Sequence, residues 1–313
     1  MKTITIVTPC YNEEENIQNL YQRTQDVFKE YAEKYAYEHL FIDNASTDKT
    51  VNILKQIASK NKHIKIIINN RNFGHIRSPH HALLEATGDA VVFIVADLQD
   101  PPEIIHEFIK RWEETSCDAV IGVKSKSLES PLMFLVRRLY YYLINKLSET
   151  KLQKNFMGFG LYDQKLIKML RQIEDPYPYF RGLIFEVTDN IEIIEYLQNS
   201  RKRGFTKNNF YTLYDIAMLG ISSHSKIPLR LATWIGFMCA FISIVIAIVY
   251  AIYKILYWDN FTVGIAPLVI GVFFFGAVQL IFIGIIGEYL GAIHTKISNR
   301  PLVFEKERIN FDS

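Results

Sequence analysis

Two stretches of this 313-residue chain run without a charged side chain for longer than a bilayer is thick, residues 231–253 and 260–287. A helix needs about 20 apolar residues to cross the hydrocarbon core. Both stretches meet that length, and nothing before residue 228 does. The alternative, two helices buried in a large soluble core, is disfavoured because uncharged runs this long are rare outside membranes. The first apolar run, in MKTITIVTPCYNEEEN, is five residues long and ends in acids, which does not fit a signal peptide.

Charge orients the hairpin. The thirty residues before the first span hold Arg201, Lys202, Arg203, Lys207, Lys226 and Arg230 against one acid, Asp215, and Lys296 and Arg300 follow the second span. The link Tyr257-Trp258-Asp259-Asn260-Phe261 has no basic residue. Positive loops stay cytoplasmic and aromatic residues gather at the interfaces. Both large ends are therefore expected in the cytoplasm, with Tyr253, Tyr257 and Trp258 at the far interface. Gly264, Gly271, Gly276, Gly284, Gly287 and Gly291 recur along the second span, which predicts close packing on the first span or on another subunit. The expected organisation is a domain over 1–200, a basic juxtamembrane segment over 201–229, spans at about 231–256 and 263–287 within 230–290, and a cytoplasmic tail over 291–313.

The remaining composition excludes several classes. With 35 basic and 33 acidic residues the net charge is +2, too little for a dedicated nucleic-acid binder. Cys10, Cys117 and Cys239 have no paired spacing, which excludes a disulfide framework and a CxxC zinc site and fits a reducing compartment.

The first 200 residues alternate strand and helix signals. Strands are expected over 4–8, 39–42, 64–68, 90–95 and 119–122. Helices are expected over 14–35, from Ser46 or Thr47 to Lys60, over 78–87, and from Pro101-Pro102 to Glu114, with Asn12 as a cap. Such alternation implies an α/β fold with a doubly wound, mostly parallel sheet, whose ligands sit at the carboxyl ends of the strands. Those ends read Thr8-Pro9-Cys10-Tyr11-Asn12-Glu13, Asp43-Asn44, Asn69-Asn70-Arg71-Asn72 and Ala96-Asp97-Leu98-Gln99-Asp100. No GxGxxG follows strand one and no GxxxxGK[ST] occurs, so dinucleotide and P-loop readings lose their loops. An acid-rich site would repel a nucleotide diphosphate unless a hard divalent ion, Mg²⁺ or Mn²⁺, lay between them.

The segments TPCYNEEENI, FIDNASTDKT, RNFG and GDAVVFIVADLQDPPE, with YYYLINKLS, FRGL and GFTK further on, resemble the family 2 glycosyltransferases of the Rossmann-like GT-A fold. With the C-terminal hairpin they resemble its polyprenyl-phosphate branch, which includes dolichol-phosphate mannose synthases and bactoprenol glucosyl transferases. The resemblance implies that Pro9, Tyr11 and Glu13 line a nucleotide pocket and that Asp43, with Asn44 beside it, meets the base or ribose. It implies that Asp97 and Gln99 hold Mg²⁺ or Mn²⁺ on the diphosphate. Asp43 has a second reading, a turn that caps the next helix. Lys124 matches a position where relatives bind the lipid phosphate, and Arg137 and Arg138 are further candidates. The family's paired acids, DAD, read VAD here, with Val95 in the first place, so one carboxylate of the metal shell is absent. The acid and arginine that relatives carry around Asn155-Phe156-Met157-Gly158-Phe159-Gly160 are absent too.

Residues 132–147, and Phe210, Leu213, Tyr214, Ala217, Met218 and Ile221 on one helical face, suit interface helices; both also suit packing inside the soluble domain. His75, His80 and His81 fit no zinc motif and border the sugar or diphosphate, or stand plain on the surface. The implied activity is transfer of a sugar from a nucleotide-sugar to a polyprenyl phosphate at the cytoplasmic membrane face, with inversion. The implied partners are the bilayer, a second copy of the chain, a flippase and a downstream glycosyltransferase. A processive polysaccharide synthase lacks its QxxRW here, since Arg111-Trp112 has no Gln at the right offset. A non-catalytic scaffold binding nucleotide-sugar is the third reading, and Val95 is its motive.

Overall fold

The computed structural model describes residues 1–125, 153–198, 227–257, 265–297 and 300–311. The expected strands form, four of them longer than expected and the fourth in sequence two residues shorter: β1 (Lys2–Cys10), β2 (Tyr35–Asp43), β3 (Ile64–Asn69), β4 (Ala90–Phe93) and β5 (Ala119–Lys124). Between them lie α1 (Ile17–Lys29), α2 (Thr50–Lys60), α3 (Gly74–Glu85) and α4 (Ile105–Thr115), the last entered by a short 3-10 turn, Pro102–Ile104. Then follow β6 (Phe156–Asp163), α5 (Gln164–Leu170), α6 (Phe180–Val187), β7 (Ile191–Tyr196), α7 (Ile227–Leu256), α8 (Ile265–Ile297) and β8 (Glu305–Ile309).

The eight strands form one sheet in the order β7-β5-β6-β4-β1-β2-β3-β8. β1 pairs in parallel with β2 and β4, β2 with β3, and β5 with β7. β6 is antiparallel between β4 and β5, and β8 is antiparallel on β3. The central strands read as unbroken apolar runs because both their faces are covered. Ile4, Ile6, Phe41, Ile66 and Val92 pack with Leu20, Leu54 and Phe108 of α1, α2 and α4. Val7, Leu40, Ile42, Ile67 and Val91 pack on the other face with Leu83, Leu166 and Leu183 of α3, α5 and α6. The fold is thus three-layered. β1, β2 and β3 wind one way from the centre and β4 lies on the other side of β1, so the winding reverses between β1 and β4. That reversal opens a crevice at their carboxyl ends.

Several local expectations change. Asn12 does not cap α1: its φ is +55° and its side-chain oxygen accepts from the Thr47 amide at 2.8 Å. The helix starts at Ile17 instead, with the Asn16 and Ile17 amides donating to the Glu13 carbonyl at 3.0 Å. Ser46 and Thr47 do not cap α2, since Ser46 Oγ accepts from the Asn12 amide at 2.9 Å. Asp48 accepts from the Thr50 amide at 2.9 Å and serves that end. β4 stops at Phe93, two residues before Val95, so strand alternation does not govern Val95 and Asp97.

The part expected as a tail, 291–313, splits. Residues 265–297 are helix, while Glu305–Ile309 is a strand of the domain's own sheet. Arg308 is bonded to Glu305 and sits 2.8 Å from Glu85, and Lys55 pairs with Glu307 at 2.7 Å. α7 and α8 are each long and apolar enough to cross a membrane, with large apolar side chains such as Trp234, Phe241 and Leu280 exposed. A Cβ at Gly271, Gly276, Gly284, Gly287 or Gly291 would meet nothing within 4 Å, so these glycines do not pack on α7. The candidate interface helices and the basic run 201–203 lie outside the described residues.

Candidate active site

The amino-terminal wall of the crevice is two loops stitched together. The Asn44 amide donates to the Cys10 carbonyl at 3.0 Å and the Glu13 amide to Thr50 Oγ1 at 2.8 Å. Glu14 Oε2 accepts from the Lys49 amide at 2.9 Å, and the Glu14 amide donates to Asp48 at 3.2 Å. This lacing fixes Pro9, Cys10, Tyr11 and Glu13 along a cavity of about 690 Å³. The same cavity is lined by Asn44, Val95, Asp97, Gln99, Asp100 and Lys124. Of the ten residues expected in the site, seven meet here: Pro9, Tyr11, Glu13, Asn44, Asp97, Gln99 and Lys124. Arg137 and Arg138 lie outside the described residues.

Asp43 differs from expectation. It is fully buried behind the wall rather than on it. One carboxylate oxygen accepts from the Ser46 amide at 2.9 Å and the other has no partner. Burial pushes its carboxyl up, opposed by the bonds from Ser46. The turn reading describes this geometry. Asn44 lines the cavity, yet its amide is a clamp. Its Nδ2 donates to Asn72 and to the Gly74 carbonyl, and its Oδ1 accepts from Asn69 and from the Phe73 amide. Four bonds fix the loop after β3 so that Asn72, Gly74 and His75 form a second wall.

Asp97 is delivered by β4 through a turn. Leu98 has φ +59°, and the Gln99 amide donates to Asp97 Oδ1 at 3.1 Å. Gln99 Oε1 accepts from Gln198 at 3.2 Å. Asp97 and Gln99 thus offer oxygen donors on one short turn, and Val95 faces the same cavity. Such donors suit a hard divalent ion. No group of three His, Cys, Asp or Glu side chains fit to hold a metal occurs among the described residues. The set therefore fits an ion whose shell is completed by phosphate and water.

Asp100 is buried and accepts from the Tyr196 hydroxyl at 2.5 Å. Burial raises its carboxyl, and the Lys124 ammonium nearby works against that. Met157 and Phe159 of β6 line the cavity as well. β6 can lie this close because Gly160 faces β5, where a Cβ would come 2.6 Å from the Val120 carbonyl. Tyr179, Phe180 and Arg181 complete the rim. Of the histidines, His75 and His80 line the cavity, while His81 sits 2.6 Å from Glu305 of β8 and is neither on the cavity nor free on the surface. His80 is buried against Phe180 and its pKa is pushed down to about 4 by burial. Tyr196 and Gln198 escaped the sequence reading; only the alternation in Ile-Glu-Ile-Ile-Glu-Tyr hinted at the strand that places them.

Comparison with known proteins agrees with this geometry. The family model for glycosyl transferase family 2 matches residues 5–171. The chain is 33% identical over 299 residues to the SfII prophage-derived bactoprenol glucosyl transferase of Shigella flexneri, covering 95% of this chain and 96% of that one. It is 32% identical over 302 residues to a prophage bactoprenol glucosyl transferase homolog of Escherichia coli, covering 95% and 96%. Among solved structures, glucosyl-3-phosphoglycerate synthase from Mycobacterium tuberculosis, in complex with Mn²⁺, UDP and phosphoglyceric acid, superposes with a TM-score of 0.50 at 18% identity, covering 71% of this chain and 76% of that one. The fold is of the GT-A type, and the chain belongs to glycosyl transferase family 2.

Proposed function

We propose that this glycosyltransferase moves one sugar from a nucleotide-sugar to a polyprenyl phosphate at the cytoplasmic face of a membrane. The observation that carries the reading is the cavity at the β1–β4 reversal, which Pro9, Tyr11, Glu13, Asp97, Gln99 and Lys124 line together. Relatives matching nearly the whole chain are named for bactoprenol, which supports a polyprenyl acceptor.

The nucleotide lies along the stitched Pro9–Glu13 side, its diphosphate toward Asp97. A divalent ion there, Mg²⁺ or Mn²⁺, would offset charge on the leaving diphosphate. Asp97 and Gln99 are the residues that would hold it. The acceptor phosphate is already ionised at neutral pH, so it needs orientation and charge neutralisation rather than a strong base. Lys124, on the same cavity, supplies a cation for it, with Arg137 and Arg138 as further candidates. Attack in line with the leaving group inverts the anomeric centre.

The domain spans residues 1–200 together with β8, and α7–α8 form the membrane hairpin. β8 lies in the same sheet as β1, so the chain leaves and re-enters on one side of any bilayer the two helices cross. The basic residues before α7 and after α8 support a cytoplasmic location for that side. A lipid-linked sugar made there requires a flippase and a second glycosyltransferase to be used on the far side.

The test is turnover. Purified full-length protein, given a panel of nucleotide-sugars, is expected to glycosylate undecaprenyl phosphate and to leave undecaprenol untouched. Binding of a nucleotide-sugar without turnover on any acceptor would favour the scaffold reading that Val95 motivates.

A further inference from the structure

Three arginines converge where the chain leaves α8. The Arg71 guanidinium lies 4.5 Å from the Phe73 ring centre and that of Arg77 lies 5.5 Å from the same ring. Arg77 Nη2 donates to the Pro301 carbonyl, which makes Arg300 their neighbour, and Arg77 Nε is buried without a partner. The Phe73 ring meets Phe304 at 6.2 Å, and the Asn70 amide donates to the Phe304 carbonyl at 2.8 Å. Burial, then the charges of Arg71 and Arg300, hold the Arg77 guanidinium below its ordinary pKa.

No ion pair with a carboxylate of the described residues engages Arg71, Arg77 or Arg300. Farther along the same tail the pattern reverses, for Arg308 pairs with both Glu85 and Glu305. Three like charges held together are costly unless an anion offsets them. The place narrows the choice of anion. Pro301 is four residues beyond Ile297, the end of α8, and four residues span at most about 14 Å. The apolar window of α8 runs to Thr295 with Glu288 as its one acid, and Lys296 follows. With α8 across a bilayer the cluster stands within reach of lipid phosphates, and Phe304, 56% exposed, is beside it as an apolar contact. Guanidinium forks match phosphate oxygens in pairs.

We propose that Arg71, Arg77 and Arg300 form a site for the headgroup of an anionic phospholipid, which seats the donor-site loop after β3 on the bilayer surface. This rests on α8 crossing the membrane, as proposed above.

The test is native mass spectrometry of the full chain released from nanodiscs holding equal phosphatidylcholine and phosphatidylglycerol. The wild type is expected to retain phosphatidylglycerol preferentially. The Arg71→Gln/Arg300→Gln variant changes two exposed side chains, and is expected to lose about tenfold or more of that preference. Lys29→Gln, far from the cluster, is expected to keep it. An unchanged preference in the double variant, with an unaltered melting curve, overturns the site. Displacement of the retained lipid by millimolar inorganic phosphate shows a free-phosphate site and overturns the lipid assignment. Insertion without any lipid preference overturns the headgroup site alone. Failure of the wild type to enter nanodiscs overturns the membrane reading, and the site with it.

Discussion

β4 leads Asp97 into the cavity beside Gln99, with the buried Asp100 next on the same turn, and Val95 stands where the family's first acid would be. Asp97→Asn keeps the turn that Gln99 closes but removes the charge, so transfer is expected to fall by a factor of about 100 or more while the melting temperature stays close to wild type. Val95 has two opposed effects. It spares the diphosphate one repulsion and denies a divalent ion one ligand, and the second governs turnover if the ion sits on the leaving group. Val95→Asp is therefore expected to lower the metal concentration for half-maximal rate, read from a Mn²⁺ titration; an unchanged midpoint would show that position 95 does not face the ion. Farther inside, His39 bonds Thr8 Oγ1 and the Tyr37 hydroxyl, each at 2.9 Å, and burial lowers its pKa from 6.5 to about 3. Below pH 6.5 the unfolded chain takes up a proton that the folded chain refuses. This contribution is thus complete above pH 6.5 and is lost as pH falls toward 3, by about 1.4 kcal/mol per unit. Urea unfolding at pH 7, 6 and 5 is expected to show wild type losing about 0.7 kcal/mol more than His39→Gln from pH 7 to 6 and about 1.2 kcal/mol more from pH 6 to 5, a comparison in which the carboxyl titrations cancel. Residues such as Pro9, Tyr11, Glu13 and Asp97 were legible in the sequence because each follows directly on a strand whose end is fixed by local pattern. Tyr196, which bonds Asp100, and Gln198, which lines the cavity, were not, because their approach depends on β7 meeting the turn after β4 across about 100 residues of chain.

Among the elements, β8 changes the picture most. Its Glu-Lys-Glu-Arg-Ile sequence has no apolar alternation and stands more than 230 residues from β3, so nothing local marks it as a strand. It pairs because β3 offers an open edge and because Glu305, Glu307 and Arg308 find His81, Lys55 and Glu85 there. β6 was hidden for a different reason: its glycines, which look like loop residues, are what allows an antiparallel strand to lie between β4 and β5. β1 to β5 were readable since buried parallel strands between helices show as short apolar runs. The junction of β8 with the donor-site loop has a kinetic consequence. Phe304→Ala removes the ring that rests on Phe73 and loosens residues 70–75, so the donor KM is expected to rise severalfold with kcat little changed. A fall in kcat alone would mean that β8 does not support the donor site.

At the scale of the whole molecule, the chain before and after the two long apolar helices belongs to one sheet. The apolar runs made the two long helices legible, while the return of the chain after them to the domain's own sheet depends on β8, which no local pattern marks. Single cysteines in a cysteine-free chain are expected to react with an impermeant reagent from outside intact cells at position 260, and not at position 2 or 313. Labelling at 313 but not at 2 would separate the ends and contradict the shared sheet. The central claim is that the cavity at the β1–β4 reversal passes a sugar to a lipid phosphate. Its most direct test follows labelled sugar from nucleotide-sugar into undecaprenyl phosphate in nanodiscs, for wild type and Asp97→Asn, with donor binding measured alongside. The account predicts one sugar per lipid in the wild type, and a product rate in Asp97→Asn lower by a factor of about 100 or more with the fold intact. Equal rates in the two proteins, or lipid products bearing several sugars, would contradict it.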